Sequence, residues 1–200
     1  MVKLQGEKKI VIGEKKVKKV ILFVDLDGVM SFWEKSAAKL LDIDYNDEGI
    51  REELKNGKKM EDFVGGDEKM WPIIDKAGED FWSNMEKFSW SDDLIEIVKN
   101  KSSDFCFLTS PSKNPICASG KIKWMQKNYK DLSESFFIGK DKHLCASNNS
   151  VLIDDSDKKC KKFEEYGGHS FKWPHPLKII DGDIKIEDIF NSLKEKINQI

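Results

Sequence analysis

The apolar run Val20-Ile-Leu-Phe-Val24 ends abruptly in Asp25, Leu26, Asp27 and Gly28. A stretch this rich in branched and aromatic residues reads as a strand buried on both faces, the kind found at the centre of a parallel sheet. Two aspartates one residue apart, set where such a strand stops and followed by a glycine, place carboxylates at a sheet edge. The rest of the chain repeats the arrangement. "DFCFLTS" at 104–110 ends in Thr109 and Ser110, and "SVLIDD" at 150–155 ends in Asp154 and Asp155. In open α/β sheets the C-terminal edge of the strands is where loops converge and ligands bind.

Strands alternate with helices along most of the chain. Helices are expected near 92–100, 119–129, 157–166 and 186–199, and further strands at 135–139 and in "HSFKW" at 169–173. This pattern predicts an α/β, three-layer Rossmann-like parallel sheet. Residues 9–12 and 17–24 are both strand-like and are expected to form a hairpin around Gly13, with the lysine-rich stretch 15–19 as its solvated part. Between 34 and about 90 the texture changes to helices, "EKSAAKLLDI", "GIREELKNG" and "DEKMWPIIDKAGEDFWSNMEKF". The expected division is therefore a core of residues 1–31 and 91–200, with a small helical cap at 32–90 inserted after the first acidic motif.

Composition narrows the function. At 39% hydrophobic and 35% charged, the chain is that of a globular protein, and it holds no apolar run near the roughly 18 residues a membrane helix needs. Lys, Glu and Gly interrupt the N-terminus, so no signal peptide is read there and a cytoplasmic location is expected. Cys106, Cys117, Cys145 and Cys160 stand far apart, without metal-ligand spacing, and are expected to be reduced. A net charge of −2 gives no general affinity for nucleic acid. Arg51 is the only arginine, so a phosphate site here must rely on lysines and backbone N–H groups.

Four carboxylates converging on one crevice repel one another unless a cation sits among them, and hard oxygen ligands of this kind suit Mg²⁺. Taken singly, each motif has a structural explanation, as a turn or a helix N-cap. Their conjunction at three strand ends points to chemistry instead.

The motifs "DLDGV" at 25–29, "LTS" at 108–110, a lysine in "GKDKH" and "IDD" at 153–155 resemble those of the haloacid dehalogenase superfamily of phosphohydrolases. "TSP", Lys121 with Trp124, and the "DK" before the last acidic pair further resemble its 5′-nucleotidases acting on deoxyribonucleoside monophosphates. The resemblance implies a Mg²⁺-dependent phosphomonoesterase. Asp25 would be the nucleophile and Asp27 the general acid and base, with a proton affinity raised by neighbouring carboxylates. Asp25, Asp154, Asp155 and the backbone carbonyl of Asp27 would serve the metal. Thr109, Ser110 and Lys142 would bind the phosphoryl group, with Lys121 as a second positive contact. Lys140 competes with Lys142 for the third motif, and the "DK" context favours Lys142. One departure stands out: the related nucleotidases follow the acidic pair with arginine, where this chain has Ser156.

The helical insertion should choose the substrate. Phe32, Trp71, Phe81 and Trp82 are its candidate stacking residues for a nucleobase, and hinging around Gly28 and 88–93 would open it. His143 and His175 carry little weight. The expected partner is a small phosphate ester, a nucleoside monophosphate; a homodimer is compatible with the sequence, and nucleic acid and membrane are not expected partners. A different ester, such as a sugar, cofactor or polynucleotide terminal phosphate, and a non-catalytic binding protein are the competing readings.

Overall fold

The computed structural model describes residues 20–132 and 135–200. The proposed strand at 9–12 and the lysine-rich stretch before Val20 lie outside them.

Five parallel strands form one sheet: β1 (Ile21–Val24), β2 (Asp104–Thr109), β3 (Phe136–Ile138), β4 (Ser150–Asp154) and β5 (His169–Lys172), in the order β3-β2-β1-β4-β5. The alternation of side chains along a strand splits the apolar residues between two faces. Leu22, Val24, Phe105, Phe107, Val151 and Ile153 join the main core, with Leu94 and Val98 of α5 (Ser91–Lys101), Trp124 of α6 (Ile116–Asn128) and Leu193 and Ile197 of α9 (Ile186–Asn198). Phe23, Leu108 and Leu152 face the other way, onto Phe163 of α7 (Asp157–Glu165). The chain winds outward through β2 and β3, then returns past β1 to β4. Right-handed crossovers of opposite travel put helices on opposite faces, which yields the three layers.

Register builds the crevice. Val24 pairs with Phe107 on one side and Ile153 on the other, and Asp25 N–H donates to the Ile153 carbonyl at 2.9 Å. Asp25, Thr109 and Asp154 therefore emerge at one edge of three adjacent strands. This is also where the strand order reverses, the usual position of a ligand crevice.

Between β1 and α5 lie four helices: α1 (Trp33–Leu40), α2 (Glu48–Lys55), α3 (Met60–Phe63) and α4 (Asp67–Ser83). The long helix expected to run to residue 88 stops at Ser83, and it is broken at Gly78, whose φ of 71° and ψ of −154° glycine adopts far more readily than other residues. α4 packs on α6, where a Cβ on Gly120 would meet Trp82 Cβ at 2.4 Å. Trp124 Nε1 crosses the same contact to the Met85 carbonyl at 2.8 Å. A short helix not foreseen from the sequence, α8 (Pro176–Ile180), begins at Pro176 and is capped by His175, since proline supplies no N–H that a first turn would leave unpaired.

Candidate active site

Asp25 is the buried centre of the site. Its Oδ1 accepts from Leu26 N–H at 2.8 Å, while its Oδ2 lies 2.7 Å from Lys142 Nζ and 3.4 Å from Lys159 Nζ. Burial works to raise the pKa of Asp25, yet the ammonium groups of Lys142, Lys159 and Lys121 overcome it and hold the carboxyl well below the usual range. Asp25 therefore stands as a buried, ionised carboxylate. Lys142, 2% exposed, also bridges to Asp154 Oδ2 at 2.6 Å. Lys140 instead lies at the cleft surface.

Asp154 and Asp155 complete an acidic group. One carboxylate oxygen from each of Asp25, Asp154 and Asp155 lies within 4.8 Å of the others. Burial, then the charge of Asp25, pushes Asp154 up to about 6. Burial, then Asp25 and Asp154, pushes Asp155 up to about 8. Gly28 makes room for this packing. Its φ is 76°, and a Cβ there would come within 2.2 Å of Asp155 Oδ2, so another residue would both strain the turn and displace the carboxylate. Such a group of hard, mutually repelling oxygens fits a divalent cation.

Asp27 points elsewhere. Its Oδ2 accepts from Lys121 Nζ at 2.5 Å and its Oδ1 from Ser31 Oγ at 3.3 Å. Its nearest charged partner is therefore an ammonium, where the sequence reading expected carboxylates. Lys121, 1% exposed, also donates to Thr109 Oγ1 at 3.0 Å and the Ser110 carbonyl at 2.7 Å. Those three acceptors match the three donors of an ammonium. Ser110 Oγ is buried and, among the described residues, has no hydrogen-bond partner.

A cleft of about 960 Å³ opens beside this cluster, lined by Asp27, Ser110, Lys121 and Lys159 at one end and by Trp33, Trp71 and Trp82 farther along. Asp67 Oδ1 accepts from the Trp71 indole N–H at 2.9 Å. Two of the aromatics singled out in the sequence do not line it. Phe32 packs edge-on against Tyr45 and beside Phe88, and Phe81 packs edge-on against Trp82. Both belong to the core of the helical segment, where they pack with Tyr45, Leu54, Met70, Ile74 and Phe88. Trp33, an aromatic of the insertion not chosen as a stacking candidate, opens α1 and lines the cleft beside Trp71, at 6.4 Å between ring centres.

The family model described as "5′ nucleotidase, deoxy (Pyrimidine), cytosolic type C protein" matches residues 19–181. The chain belongs to this 5′-nucleotidase family. No curated protein sequence matches it. Solved structures share the fold of this family member at low identity. A haloacid dehalogenase-like family hydrolase from Xanthomonas campestris is 10% identical at a TM-score of 0.56, over 91% of this chain and 93% of that one. A haloacid dehalogenase family hydrolase from Deinococcus radiodurans R1, crystallised with bound phosphate and sodium, is 10% identical at 0.55, over 80% and 82%. A predicted phosphatase from Clostridium acetobutylicum is 15% identical at 0.54, over 91% and 99%. The nucleotidase-family chain thus shares the fold of haloacid dehalogenase-type hydrolases, and its family membership makes it a phosphatase-family protein. Among its described residues no helix is long and apolar enough to cross a membrane.

Neither histidine considered in the sequence lines the family member's cleft. His143 stacks edge-on against Tyr166 at 4.4 Å, and His175 Nε2 meets Glu34 Oε1 at 3.2 Å. Thiol chemistry is disfavoured too. The four cysteines are unpaired, and burial pushes Cys106 up to about 12 and Cys160 up to about 11, which leaves little thiolate. The residue that sequence reasoning missed is Lys159, one of four lysines in "DKKCKK" with nothing in the pattern to separate it from its neighbours. Only the N-cap at Ser156, which accepts from Lys159 N–H, fixes the turn that sends this one toward Asp25.

The acidic group sets a pH dependence for the nucleotidase-family protein without metal. Asp154 and Asp155 have folded pKa values above the ordinary value of about 4. Their contribution to stability is thus complete below about pH 4 and lost as pH rises through about 6 and about 8. Asp155→Asn removes one buried charge, so EDTA-treated Asp155→Asn should be more stable than wild type by roughly 2–4 kcal/mol at pH 9 and little changed at pH 4. Thermal melts at the two pH values measure this; equal shifts at both would dissociate Asp155 from the effect.

Proposed function

We propose that the protein is a Mg²⁺-dependent phosphomonoesterase that dephosphorylates nucleoside monophosphates, deoxyribonucleotides among them. The observation that carries the reading is the pairing of Asp25, ionised between Lys142 and Lys159, with Asp27, held separately by Lys121 at the same end of the cleft. One carboxylate is kept as a nucleophile, and the other stands apart on the cleft side as the candidate acid and base.

In the proposed reaction an Asp25 oxygen attacks phosphorus and the P–O bond to the nucleoside breaks. Asp27 gives its proton to the departing alkoxide, leaving an aspartyl phosphate and the free nucleoside. Asp27, now a base, takes a proton from water as that water's oxygen attacks phosphorus, which releases inorganic phosphate and restores Asp25. Thr109, the Ser110 N–H and Lys142 would offset the charge that spreads over the phosphoryl oxygens. Asp25, Asp154 and Asp155, with the Asp27 carbonyl, would hold Mg²⁺. The ion would supply positive charge to the carboxylates and the phosphoryl oxygens.

The four helices of residues 32–90 would act as a cap on a core formed by the rest of the chain. Trp33, Trp71 and Trp82 give the cleft aromatic surface for a base, and Asp67 fixes the plane of the Trp71 ring. The deciding measurement is phosphate release from a panel of 5′- and 3′-nucleoside monophosphates, ribo and deoxy, alongside sugar phosphates and an aryl phosphate, with Mg²⁺ or EDTA. Turnover that needs Mg²⁺ and is strongest on deoxyribonucleoside monophosphates is expected. Activity confined to sugar or aryl esters would keep the chemistry and refute the substrate, and inactivity on every ester would favour a binding role.

A further inference from the structure

The site holds three ammonium groups near its carboxylates, and their hydrogen bonds distinguish them. Lys121 has its donors engaged by Asp27, Thr109 and Ser110. Lys142 is sealed between Asp25 and Asp154 with its side chain 1% exposed. Lys159 has one carboxylate contact within hydrogen-bond distance, Asp25 Oδ2 at 3.4 Å, and a second at 3.9 Å to Asp154 Oδ2. Its side chain is 31% exposed and lines the cleft. Lys140, Lys113 and Lys59 also line the cleft, but none of them is paired with Asp25, Asp154 or Asp155. Lys159 alone among the described lysines is both anchored at Asp25 and open to what enters.

We infer that Lys159 is a further cation, beside Lys142, that receives the phosphoryl group of the substrate and holds it against Asp25. The inference rests on the phosphatase reading of the site and adds a residue to it. An ammonium with free donors beside an ionised nucleophile lowers the repulsion between that nucleophile and an incoming phosphate dianion, which Asp25 cannot do for itself. Its position also answers the sequence departure at residue 156. Ser156 brings no charge, but its hydroxyl caps α7 by accepting from Lys159 N–H. The first turn of that helix then delivers a lysine three residues later. Cys160 and Phe163 are buried beneath the same helix, so the turn is anchored from behind. Lys140 and the other rim lysines would steer anions without fixing them.

Two variants test this, Lys159→Met and Lys159→Arg, each measured for binding of inorganic phosphate in Mg²⁺ by calorimetry and for steady-state hydrolysis. Lys159→Met should weaken phosphate binding by roughly 10–100-fold and lower kcat/KM by roughly 10²–10³-fold. Lys159→Arg should keep most of the phosphate affinity, so that the loss in Lys159→Met follows the charge, whereas a merely structural lysine would leave phosphate affinity alike in the two variants. Because the side chain is partly exposed, both variants should fold, and Lys159→Gln, which removes the charge but keeps a polar end, replaces the methionine variant with the same expected loss of phosphate affinity if that one does not fold. A wild-type protein that hydrolyses esters while Lys159→Met binds phosphate as tightly as it does overturns this inference and leaves the phosphatase reading intact. A wild-type protein that neither binds phosphate nor releases it overturns both.

Discussion

Asp25→Asn should reduce phosphate release by about 10⁴–10⁶-fold, the scale on which removing an enzyme's nucleophile acts, with the fold retained. The amide has nearly the same shape and keeps the Leu26 N–H contact available, but it offers no anionic oxygen to phosphorus. Its structural effect should be small, because Lys142 keeps Asp154 as a partner when Asp25 is neutralised. Initial rates on a nucleoside monophosphate, set beside circular dichroism of the same sample, measure both halves of the expectation. Activity within tenfold of wild type would assign the attack to another group.

Lys142→Met should be the most destabilising substitution in the site. Lys142 bridges two buried carboxylates, Asp25 and Asp154, at 2.7 and 2.6 Å, and removing one partner of a buried ion pair leaves charge that water cannot reach. The expected loss is about 3–5 kcal/mol, or roughly 10 °C in melting temperature for a domain of this size. Lys159 remains nearby but reaches the same oxygens only at 3.4 and 3.9 Å. Urea unfolding of EDTA-treated protein at pH 8 gives the number, and a loss below 1 kcal/mol would show that the carboxylates are not relying on this lysine. Added Mg²⁺ should return part of the stability, since a ligand of the folded state stabilises by mass action.

The sheet and its ligand edge were legible because their signals are local. A buried parallel strand has to be apolar on both faces, so β1 and β4 announce themselves as unbroken apolar runs, and the polar residues that end them mark the edge directly. Other features depend on three-dimensional context. The break at Gly78 was invisible because a single glycine inside a helical pattern is usually tolerated. Phe32 could not be told from Trp33 by composition, since which ring faces the cleft is decided by the entry angle of α1. Lys159 is the clearest case. Charge runs on exposed helices are ordinary, and only the distance to Asp25 separates this lysine from those around it.

Gly120 and Lys121 are neighbours on α6, and both meet Trp82, since the Lys121 ammonium lies 5.3 Å from the centre of its ring. Gly120 lies against Trp82, on a segment of α4 that also borders the cleft, and Lys121 grips Asp27. The aromatic wall of the cleft and the lysine paired with Asp27 thus share one mechanical support, a single peptide unit wide. Remodelling the cleft around Trp82 would therefore shift the lysine that holds Asp27 as well, so under the proposed reaction selectivity and turnover should change together along that seam.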